Sequence, residues 1–507
     1  MEARMPDSSK SLPSGETAAS ALLTRHNTAR PDLPAEAKRG RNDPFPDLEI
    51  LWVSEDEIDD APRRLHRAAR TQVETIKRSI ERFGNRIPIL VRRKDCKTRY
   101  EVVDGHSRLA ATRLLGAEKL PCIVVDDLPG AEIRRLALTL NKTQETGEWD
   151  EEAVHLEINE IIEITGDLEF PGFALPEIEA IQFGDLDAAE PDPADELDDN
   201  VNDERAPVGR PGDLWILGDH RLWCGSARDG DKIREMLGGV AIHAVFTDPP
   251  YNVKIAGNAR STNAGFQEFV EASGEMSDGD YLAFLTDTLG NAVAVLKPGG
   301  VLFACIDWRH VGEMAEALDA LGLDRLNICV WVKTNPGMGS LYRSQHEFIF
   351  VARKPGASHR NNIELGQHGR NRSNVWHYAG ATGGRTDPDD DHSLHPTTKP
   401  LRMVMDALLD VTAPGDLVLD PFLGSGTTLL AAERTRRRCL GVEIEPCYVD
   451  VAIRRWQAMT SGQAVLAKTG QMFEELAQER SVESPSEEAD SEYRAQNAAH
   501  QAAREGL

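Results

Sequence analysis

The chain has 507 residues, of which 40% are hydrophobic, so it is long enough for about two to four domains with packed cores. Its formal net charge of −27 excludes a uniformly basic surface for nucleic acid, and no apolar run approaches the roughly 20 residues that a transmembrane helix needs. The 7 cysteines are scattered and form no C-x-x-C pair, which disfavours a zinc site and a disulfide framework. We expect a reduced, cytoplasmic protein without a bound metal.

Composition predicts six consecutive segments. They are a disordered leader (1–45), a small α+β domain (46–128), a helical extension (129–184), an acidic linker (185–206), a large α/β domain (207–475) and an acidic tail (476–507) that is disordered or helical. Because acidic residues are concentrated in the linker and the tail, a local basic face is compatible with the net charge. The candidates for it, which could also be ordinary solvated charges, are Arg353, Lys354, Arg360, Arg370, Arg372 and the run 434–438.

The small front domain contains a strand, a Gly-His-Ser-Arg turn and a helix. The turn consists of Gly105, His106, Ser107 and Arg108, and backbone N–H groups at a helix start favour phosphate. Residues 46–128 resemble the ParB-like and sulfiredoxin superfamily, in which the equivalent turn binds a nucleotide phosphate. The catalytic cysteine of sulfiredoxin is absent from this turn. A nucleotide-binding domain and a domain kept only for DNA binding or assembly both remain open, and we favour the latter.

The large domain shows repeated strand-then-helix patterns. Six apolar segments are predicted as buried strands: 244–247, 301–306, 328–332, 348–352, 417–420 and 440–443. Helical patterns between several of them indicate an α/β fold with a doubly wound, largely parallel sheet. Ligands of such sheets bind at the carboxyl ends of the strands, and two motifs fall at such ends.

The first motif is the tetrapeptide Asp248, Pro249, Pro250 and Tyr251, which follows a predicted strand. Two prolines fix the backbone and remove two N–H donors, so carbonyl acceptors face outward on a rigid turn. The Asp248 carboxylate and the Pro249 carbonyl can accept the two hydrogens of an exocyclic amine, while Tyr251 can stack on its base. A base within a duplex must be flipped out to reach such a pocket. A rigid turn without chemistry is the alternative.

The second motif, at 417–430, is a strand, a glycine turn and a helix. Gly424 and Gly426 allow a ligand to approach the backbone, and the helix beginning near Thr427 favours negative charge. It is not a P-loop, because no lysine follows the second glycine. Glu443 ends the next strand about twenty residues later, where an acid can accept both ribose hydroxyls. These features together predict a nucleoside cofactor.

The two motifs in this order resemble the permuted β group of DNA amino-methyltransferases, in which the catalytic motif precedes the cofactor motif. Further segments support the resemblance, which spans about residues 208–460: 297–300 (Lys-Pro-Gly-Gly), 331–335, 342–347 and 395–400 (His-Pro-Thr-Thr-Lys-Pro). It implies a Rossmann-like methyltransferase sheet and S-adenosylmethionine as the cofactor. It also implies double-stranded DNA as the partner. We consider a homodimer, although the sequence does not decide the oligomeric state.

The resemblance also implies roles for individual residues. Asp248, Pro249 and Tyr251 would hold the target amine. The cofactor would be lined by Asp420, Phe422 near its adenine, Gly424, Ser425, Thr427 at its methionine end, Glu443 at its ribose, and Lys399 nearby. Similar enzymes often carry an acid where this chain has Ser226, so one contact to the cofactor adenine is replaced or lost.

Asp at the first position of the tetrapeptide favours adenine N6 as the target over cytosine N4. The polar segment 357–391 is predicted to contribute to target recognition, because Asn and Arg can contact base edges bidentately. A flexible surface loop is the alternative for that segment. Two other functions remain open, namely a ParB-like DNA-binding regulator with an inactive methylase half, and methylation of RNA or protein.

Overall fold

The computed structural model describes residues 48–61, 70–94, 98–144, 151–183, 207–253, 272, 274–333, 341–367, 370–378 and 399–482. The chain divides into two compact units between Asp150 and Glu151. The predicted leader, the whole predicted linker, the tail beyond 482 and the His395 motif up to 398 lie outside the described residues. Within the described ranges, no helix combines the length and apolarity that a membrane crossing requires.

The first unit is a five-stranded sheet with three helices. Its elements are β1 (Ile50–Ser54), β2 (Ile58–Asp59), α1 (Arg70–Phe83), β3 (Ile89–Arg93), β4 (Tyr100–Asp104), α2 (His106–Leu114), β5 (Lys119–Val124) and α3 (Gly130–Gln144). The strand order is β1-β5-β3-β4-β2. Gly105 connects β4 to α2 with a φ of 97°, a left-handed conformation that glycine adopts without strain. The expected α+β architecture is confirmed.

The second unit contains the remaining helices and a ten-stranded sheet. Its elements are α4 (Glu151–Thr165), α5 (Leu175–Phe183), β6 (Leu214–Leu217), β7 (His220–Cys224), α6 (Gly230–Leu237), β8 (Ile242–Thr247), α7 (Asp278–Val295), β9 (Leu296–Ile306), α8 (Val311–Ala320), β10 (Asp324–Val332), β11 (His346–Arg353), β12 (Val375–His377), α9 (Leu401–Val411), β13 (Leu417–Asp420), α10 (Thr427–Arg434), β14 (Arg438–Glu443), α11 (Pro446–Thr460), β15 (Ala464–Leu466) and α12 (Phe473–Val482). All six predicted strands are present.

The large sheet is parallel in its centre and mixed at its flanks. Its order is β12-β10-β11-β9-β8-β13-β14-β7-β6-β15, and the five strands from β9 to β7 run parallel. β11 is antiparallel to both β10 and β9, and β6 is antiparallel to both β7 and β15. The expectation of a largely parallel sheet therefore holds only for the centre. One consequence is that β11 begins at the edge of the sheet where its two antiparallel neighbours, β9 and β10, end.

Helices cover both faces of this sheet, as a doubly wound fold requires. One buried core packs residues of α9, α10 and α11 against the sheet, and a second core packs residues of α6, α7 and α8. β8 and β13 are neighbours at the centre, with Ala244 opposite Val418. The chain leaves β8 towards β9 on one side and leaves β13 towards β14 on the other. The two strand ends thus form the topological switch point at which α/β sheets bind ligands.

Candidate functional site

The tetrapeptide at 248–251 follows β8 directly and is fixed by hydrogen bonds to its surroundings. The Tyr251 hydroxyl donates to Asp248 Oδ1, and the Tyr281 hydroxyl of α7 donates to the Pro250 carbonyl at 2.9 Å. Asn252, at a φ of 51°, accepts the backbone N–H of Met276 through its side-chain oxygen. The turn is therefore held by α7 and by the residue Met276 shortly before this helix.

Two lysines and a second carboxylate surround Asp248. Lys399 Nζ forms an ion pair with Asp248 Oδ2 and lies 3.2 Å from Glu347 Oε2. Lys333, just past the end of β10, forms an ion pair with Glu347 Oε1. The Tyr251 hydroxyl also lies 3.2 Å from Glu347 Oε2. Glu347 reaches Lys399 and Tyr251 because β11 is antiparallel and begins at this edge of the sheet.

The buried charges in this network differ in their proton affinity. Burial alone would raise the pKa of Glu347, but Lys399 and Lys333 outweigh burial and hold this pKa at about 2. Burial opposes the charge of Lys399, yet Asp248 and Glu347 raise its pKa above the ordinary value. For Asp248, burial dominates and raises the pKa despite the nearby lysine. Of these two carboxyls, Asp248 therefore binds a proton more readily than Glu347.

The glycine loop after β13 has the backbone that its sequence predicts. Gly424 has a φ of 54° and Gly426 a φ of 94°, both in the left-handed region. A Cβ on Gly426 would lie 2.9 Å from the Cβ of Ala452 in α11, whereas a Cβ on Gly424 would meet open space. Gly426 thus serves close packing of α10 on α11, and Gly424 leaves room for a ligand.

Two acids tie this loop to the sheet. Asp420 accepts the Thr428 hydroxyl at 2.6 Å and the Phe422 backbone N–H at 3.0 Å. Glu443 accepts the Gly424 N–H at 2.8 Å through Oε2 and the Glu445 N–H at 2.9 Å through Oε1. Burial raises the pKa of each acid to about 7 although these hydrogen bonds lower it. Both carboxyls are thus poised to titrate near neutral pH.

The tetrapeptide and the glycine loop line one cavity. The predicted residues at its wall are Asp248, Pro249, Pro250, Tyr251, Lys399, Asp420, Phe422, Gly424, Ser425, Thr427 and Glu443. Gly426, also predicted, is instead packed under the loop. Further wall residues had no predicted role: Phe246, Glu347, Val404, Leu423, Thr428, Ile444, Glu445 and Tyr448. Ile444, Glu445 and Tyr448 could have been predicted from the sequence, because they follow Glu443 closely at the end of β14.

The predicted cofactor residue Ser425, and Ser226 at the departure from the family pattern, both have hydrogen-bond partners. The carbonyl and the hydroxyl of Ser425 accept hydrogen bonds from the buried guanidinium of Arg455 at 2.8 and 3.0 Å. Ser226 accepts the Arg228 backbone N–H and, among the described residues, does not line the cavity. Ser226 is thus hydrogen bonded within its own turn.

The described part of the predicted recognition segment includes arginines that face inward. Arg370 Nη2 lies 2.6 Å from Asp410 Oδ1, and Arg372 Nη1 lies 2.9 Å from Asp406 Oδ2. Both aspartates lie on α9 and are buried. Arg370 and Arg372 are therefore neither part of a local basic face nor ordinary solvated charges, the two alternatives that the sequence left open. Their charges anchor the segment to α9 instead, since a buried charge needs a partner.

The first unit has a cavity of its own beside the Gly-His-Ser-Arg turn. Gly105, His106, Ser107 and Arg108 line it, together with residues of α1 and the loop after it. Its volume of about 760 Å³ is in the range of small-molecule pockets, roughly 300–1,000 Å³. Arg108 Nη2 is hydrogen bonded to Asp104 Oδ2 at 3.1 Å. The structure thus brings the four predicted residues to one concave surface.

Comparison with known proteins identifies the family. The profile described as DNA methylase matches residues 242–454, which include both motifs. The type II methyltransferase M2.DpnII of Streptococcus pneumoniae is 31% identical over 230 residues, which are 42% of this chain and 82% of that protein. The type II methyltransferase M2.LlaDCHI of Lactococcus lactis subsp. cremoris is 29% identical over 243 residues, 45% of this chain and 86% of that protein. The chain belongs to the N6/N4 DNA methylase family.

Other comparisons concern the remaining part of this DNA methylase and its fold. Residues 48–142 match the ParB N-terminal domain, which confirms the predicted front domain type. The crystal structure of the M1.HpyAVI–SAM complex matches with 22% identity and a TM-score of 0.33, covering 46% of this chain and 98% of that one. A putative DNA modification methylase from Thermus thermophilus, complexed with S-adenosyl-L-methionine, matches with 27% identity and a TM-score of 0.32, covering 47% and 93%.

Proposed function

We propose that this DNA methylase transfers a methyl group from S-adenosylmethionine to the N6 amine of a flipped adenine in double-stranded DNA. One observation carries the proposal. β8 and β13 are parallel neighbours, so the Asp248 turn and the glycine loop after Asp420 line the same cavity. An amine acceptor and a nucleoside-binding loop are thereby placed within reach of one another, as methyl transfer between two bound molecules requires.

The residues around the glycine loop fit the cofactor. Glu443 has two carboxylate oxygens with further lone pairs beyond the two N–H groups that it accepts, so it can take ribose hydroxyls. Phe422, Leu423 and Ile444 give the wall an apolar portion suited to an adenine ring. S-adenosylmethionine supplies an electrophilic methyl sulfonium when it is bound. We assign Ser425, Gly424 and Thr427 to the same cofactor-binding wall.

The tetrapeptide fits the target amine. Asp248 would accept one amine hydrogen, the Pro249 carbonyl the other, and Tyr251 would stack on the base. These contacts keep the nitrogen lone pair out of the ring and aim it at the methyl group. Transfer would form the N–C bond and break the methyl–sulfur bond of the cofactor, which would leave as the thioether. The nitrogen would lose one proton, and the raised pKa of Asp248 suits its carboxylate to accept it.

The choice of adenine over cytosine rests on Asp248 as the first residue of the tetrapeptide. To test it, the full chain is incubated with DNA of mixed sequence and tritiated S-adenosylmethionine, and the DNA is digested to nucleosides. Label that comigrates with N6-methyladenine supports the proposal, and label in N4-methylcytosine overturns the base assignment. Cofactor binding without label in any base would favour the regulator hypothesis.

Although the sequence favours a domain kept only for DNA binding or assembly, we propose from the cavity that the front domain binds a nucleotide phosphate at the start of α2. Three features support this: the N-terminal end of a nine-residue helix, the guanidinium of Arg108 on the cavity wall, and the buried amide nitrogen of Asn85, which lacks a partner among the described residues. Calorimetric titration of the full chain with CTP, ATP and GTP in turn tests it. Micromolar binding of one of them that is lost in Arg108→Ala supports it, with Arg93→Ala as the control outside the cavity. Absence of heat with all three overturns it.

A homodimer remains a prediction. Sedimentation equilibrium of the full chain, with and without DNA, measures its mass directly.

A further inference from the structure

Both carboxylate oxygens of Asp248 are engaged before any substrate arrives. Oδ1 accepts the Tyr251 hydroxyl, and Oδ2 is paired with Lys399 Nζ. A carboxylate whose charge is balanced by a lysine is a weaker acceptor for a neutral amine, since the lysine holds the same lone pairs. The target amine must therefore displace or weaken the contact with Lys399.

A second acceptor for Lys399 is already in place. Glu347 Oε2 lies 3.2 Å from Lys399 Nζ and 3.2 Å from the Tyr251 hydroxyl. We infer that Glu347 is a positioning residue, which takes over Lys399 when the target amine binds to Asp248. The inference rests on the proposed role of Asp248 as the amine acceptor.

Glu347 is held in the orientation that this role requires. Its other oxygen, Oε1, is paired with Lys333, whose backbone N–H donates to the Gln345 carbonyl at 2.8 Å. Across the sheet, Trp331 is the β10 partner of Glu347. The side chain is thus fixed by Lys333 and by the adjacent end of β10, and Oε2 faces the tetrapeptide.

The transfer of Lys399 keeps the buried charge balanced. Two carboxylates, Asp248 and Glu347, face two lysines, so moving one lysine between the acids adds no charge to the site. The Lys399 Nζ lies 5.5 Å from the centre of the Tyr251 ring and 6.0 Å from that of Trp331, and both ring faces attract a cation. Both rings therefore stabilise the ammonium while it passes between its partners.

The test compares Glu347→Gln with wild type in the tritium assay on DNA. The variant keeps the shape of the side chain but loses its charge, so Lys399 should stay on Asp248. We expect kcat to fall about ten- to a hundredfold, the effect of a misplaced reacting group, with cofactor affinity unchanged within about threefold. Glu347→Asp, which keeps the charge, should restore part of kcat.

The pH profile provides a readout that a purely structural role would not move. The groups facing this pair are Lys333, Lys399, Tyr251, Cys305 and Asp420. Loss of the Glu347 charge removes a repulsion that raises the pKa of Asp248, so the acid limb of kcat should move to lower pH. Glu179→Gln, a buried acid paired with Arg437 away from the cavity, is the matched control and should leave the limb unmoved.

The outcomes separate this inference from the function on which it rests. A lower kcat together with a shifted acid limb supports it. An unchanged kcat, or a lower kcat with the wild-type pH profile, overturns it while leaving the methylase assignment intact. Absence of label from wild-type protein would instead contradict the proposed function itself.

Discussion

The carboxylate of Glu443 accepts the backbone N–H of Gly424 at 2.8 Å, so the acid that ends β14 also holds the loop that follows β13. The two residues are 19 positions apart in sequence and meet because their strands are parallel neighbours. The same carboxylate is proposed to bind the cofactor ribose. One side chain therefore couples the shape of the loop to ligand binding.

Replacing Glu443 with Gln should weaken cofactor binding. The amide can still accept the Gly424 N–H, but it loses the charge that strengthens hydrogen bonds to hydroxyls. We expect the Kd for S-adenosylmethionine to rise about ten- to a hundredfold, from the roughly 1.5–3 kcal/mol of a charged hydrogen bond. Calorimetry measures it, with Glu433→Gln as the control because Glu433 contacts His220 and Trp456 away from the cavity. Equal affinities in the Glu443 variant and wild type would contradict the ribose assignment.

Cofactor affinity should fall as the pH drops below about 7. Burial raises the pKa of Glu443 to about 7, and ribose binding by its carboxylate requires the ionised form. Binding below that pH thus releases a proton, up to a tenfold loss of affinity per pH unit. Calorimetry in two buffers of different ionisation enthalpy detects the proton. A Kd that is constant from about pH 5.5 to 8 would refute the assignment.

The free energy of unfolding of the ligand-free protein should rise as the pH drops, whereas cofactor affinity should fall. Asp420 and Glu443 have pKa values of about 7 in the folded state, above those of unfolded carboxyls. The folded state therefore holds more protons between about pH 4.5 and 7, and the free energy of unfolding falls as pH rises through this window. Thermal unfolding with Asp420→Asn as the comparison checks this, because the variant should lose part of the slope. If the free energy of unfolding of Asp420→Asn fell more steeply with pH than that of wild type, the raised pKa of Asp420 would be contradicted.

The two loop glycines should respond differently to substitution by Ala. In Gly426→Ala the new Cβ would meet Ala452 at 2.9 Å in a left-handed backbone, and we expect a loss of about 1–3 kcal/mol in the free energy of unfolding. In Gly424→Ala the Cβ enters open space, so the loss should be smaller, about 1 kcal/mol. Urea denaturation compares them. Equal losses would show that close packing at Gly426 is unimportant.

The buried arginine of the predicted recognition segment, Arg370, should matter for stability more than an exposed one. Arg370→Met leaves Asp406 and Asp410 buried with one cation fewer, at a cost of about 3–5 kcal/mol. Arg360→Met, on the exposed part of the same segment, should stay within about 0.5 kcal/mol of wild type. Denaturation curves of both variants decide this, and similar midpoints would contradict the anchoring role.

The strand ends and the two motifs that follow them could be predicted from the sequence. The ion pairs of Glu347 with Lys399 and Lys333 could not. Buried apolar runs identify β8 and β13, and proline or glycine directly after them marks the turns. Glu347 is 96 positions from Tyr251 and reaches it only because β11 is antiparallel. Strand direction is not encoded in a local apolar pattern, so sequence reasoning expected a largely parallel sheet and assigned Glu347 no role.

The arginines of the predicted recognition segment show a second limit of sequence-based prediction. A polar segment rich in Arg and Asn has the composition of a nucleic-acid contact, but composition does not tell which way each side chain faces. Arg370 and Arg372 face the aspartates of α9, which come more than thirty positions later in the chain. Only the fold reveals that pairing.

The most direct test of the account is methyl transfer by Asp248→Ala, measured beside its cofactor affinity. If Asp248 holds the target amine, the rate of label transfer to DNA should fall about a hundred- to ten-thousandfold. The Kd for S-adenosylmethionine should stay within about threefold of wild type, because the glycine loop and Glu443 are unchanged. Label transfer at the wild-type rate would contradict the account.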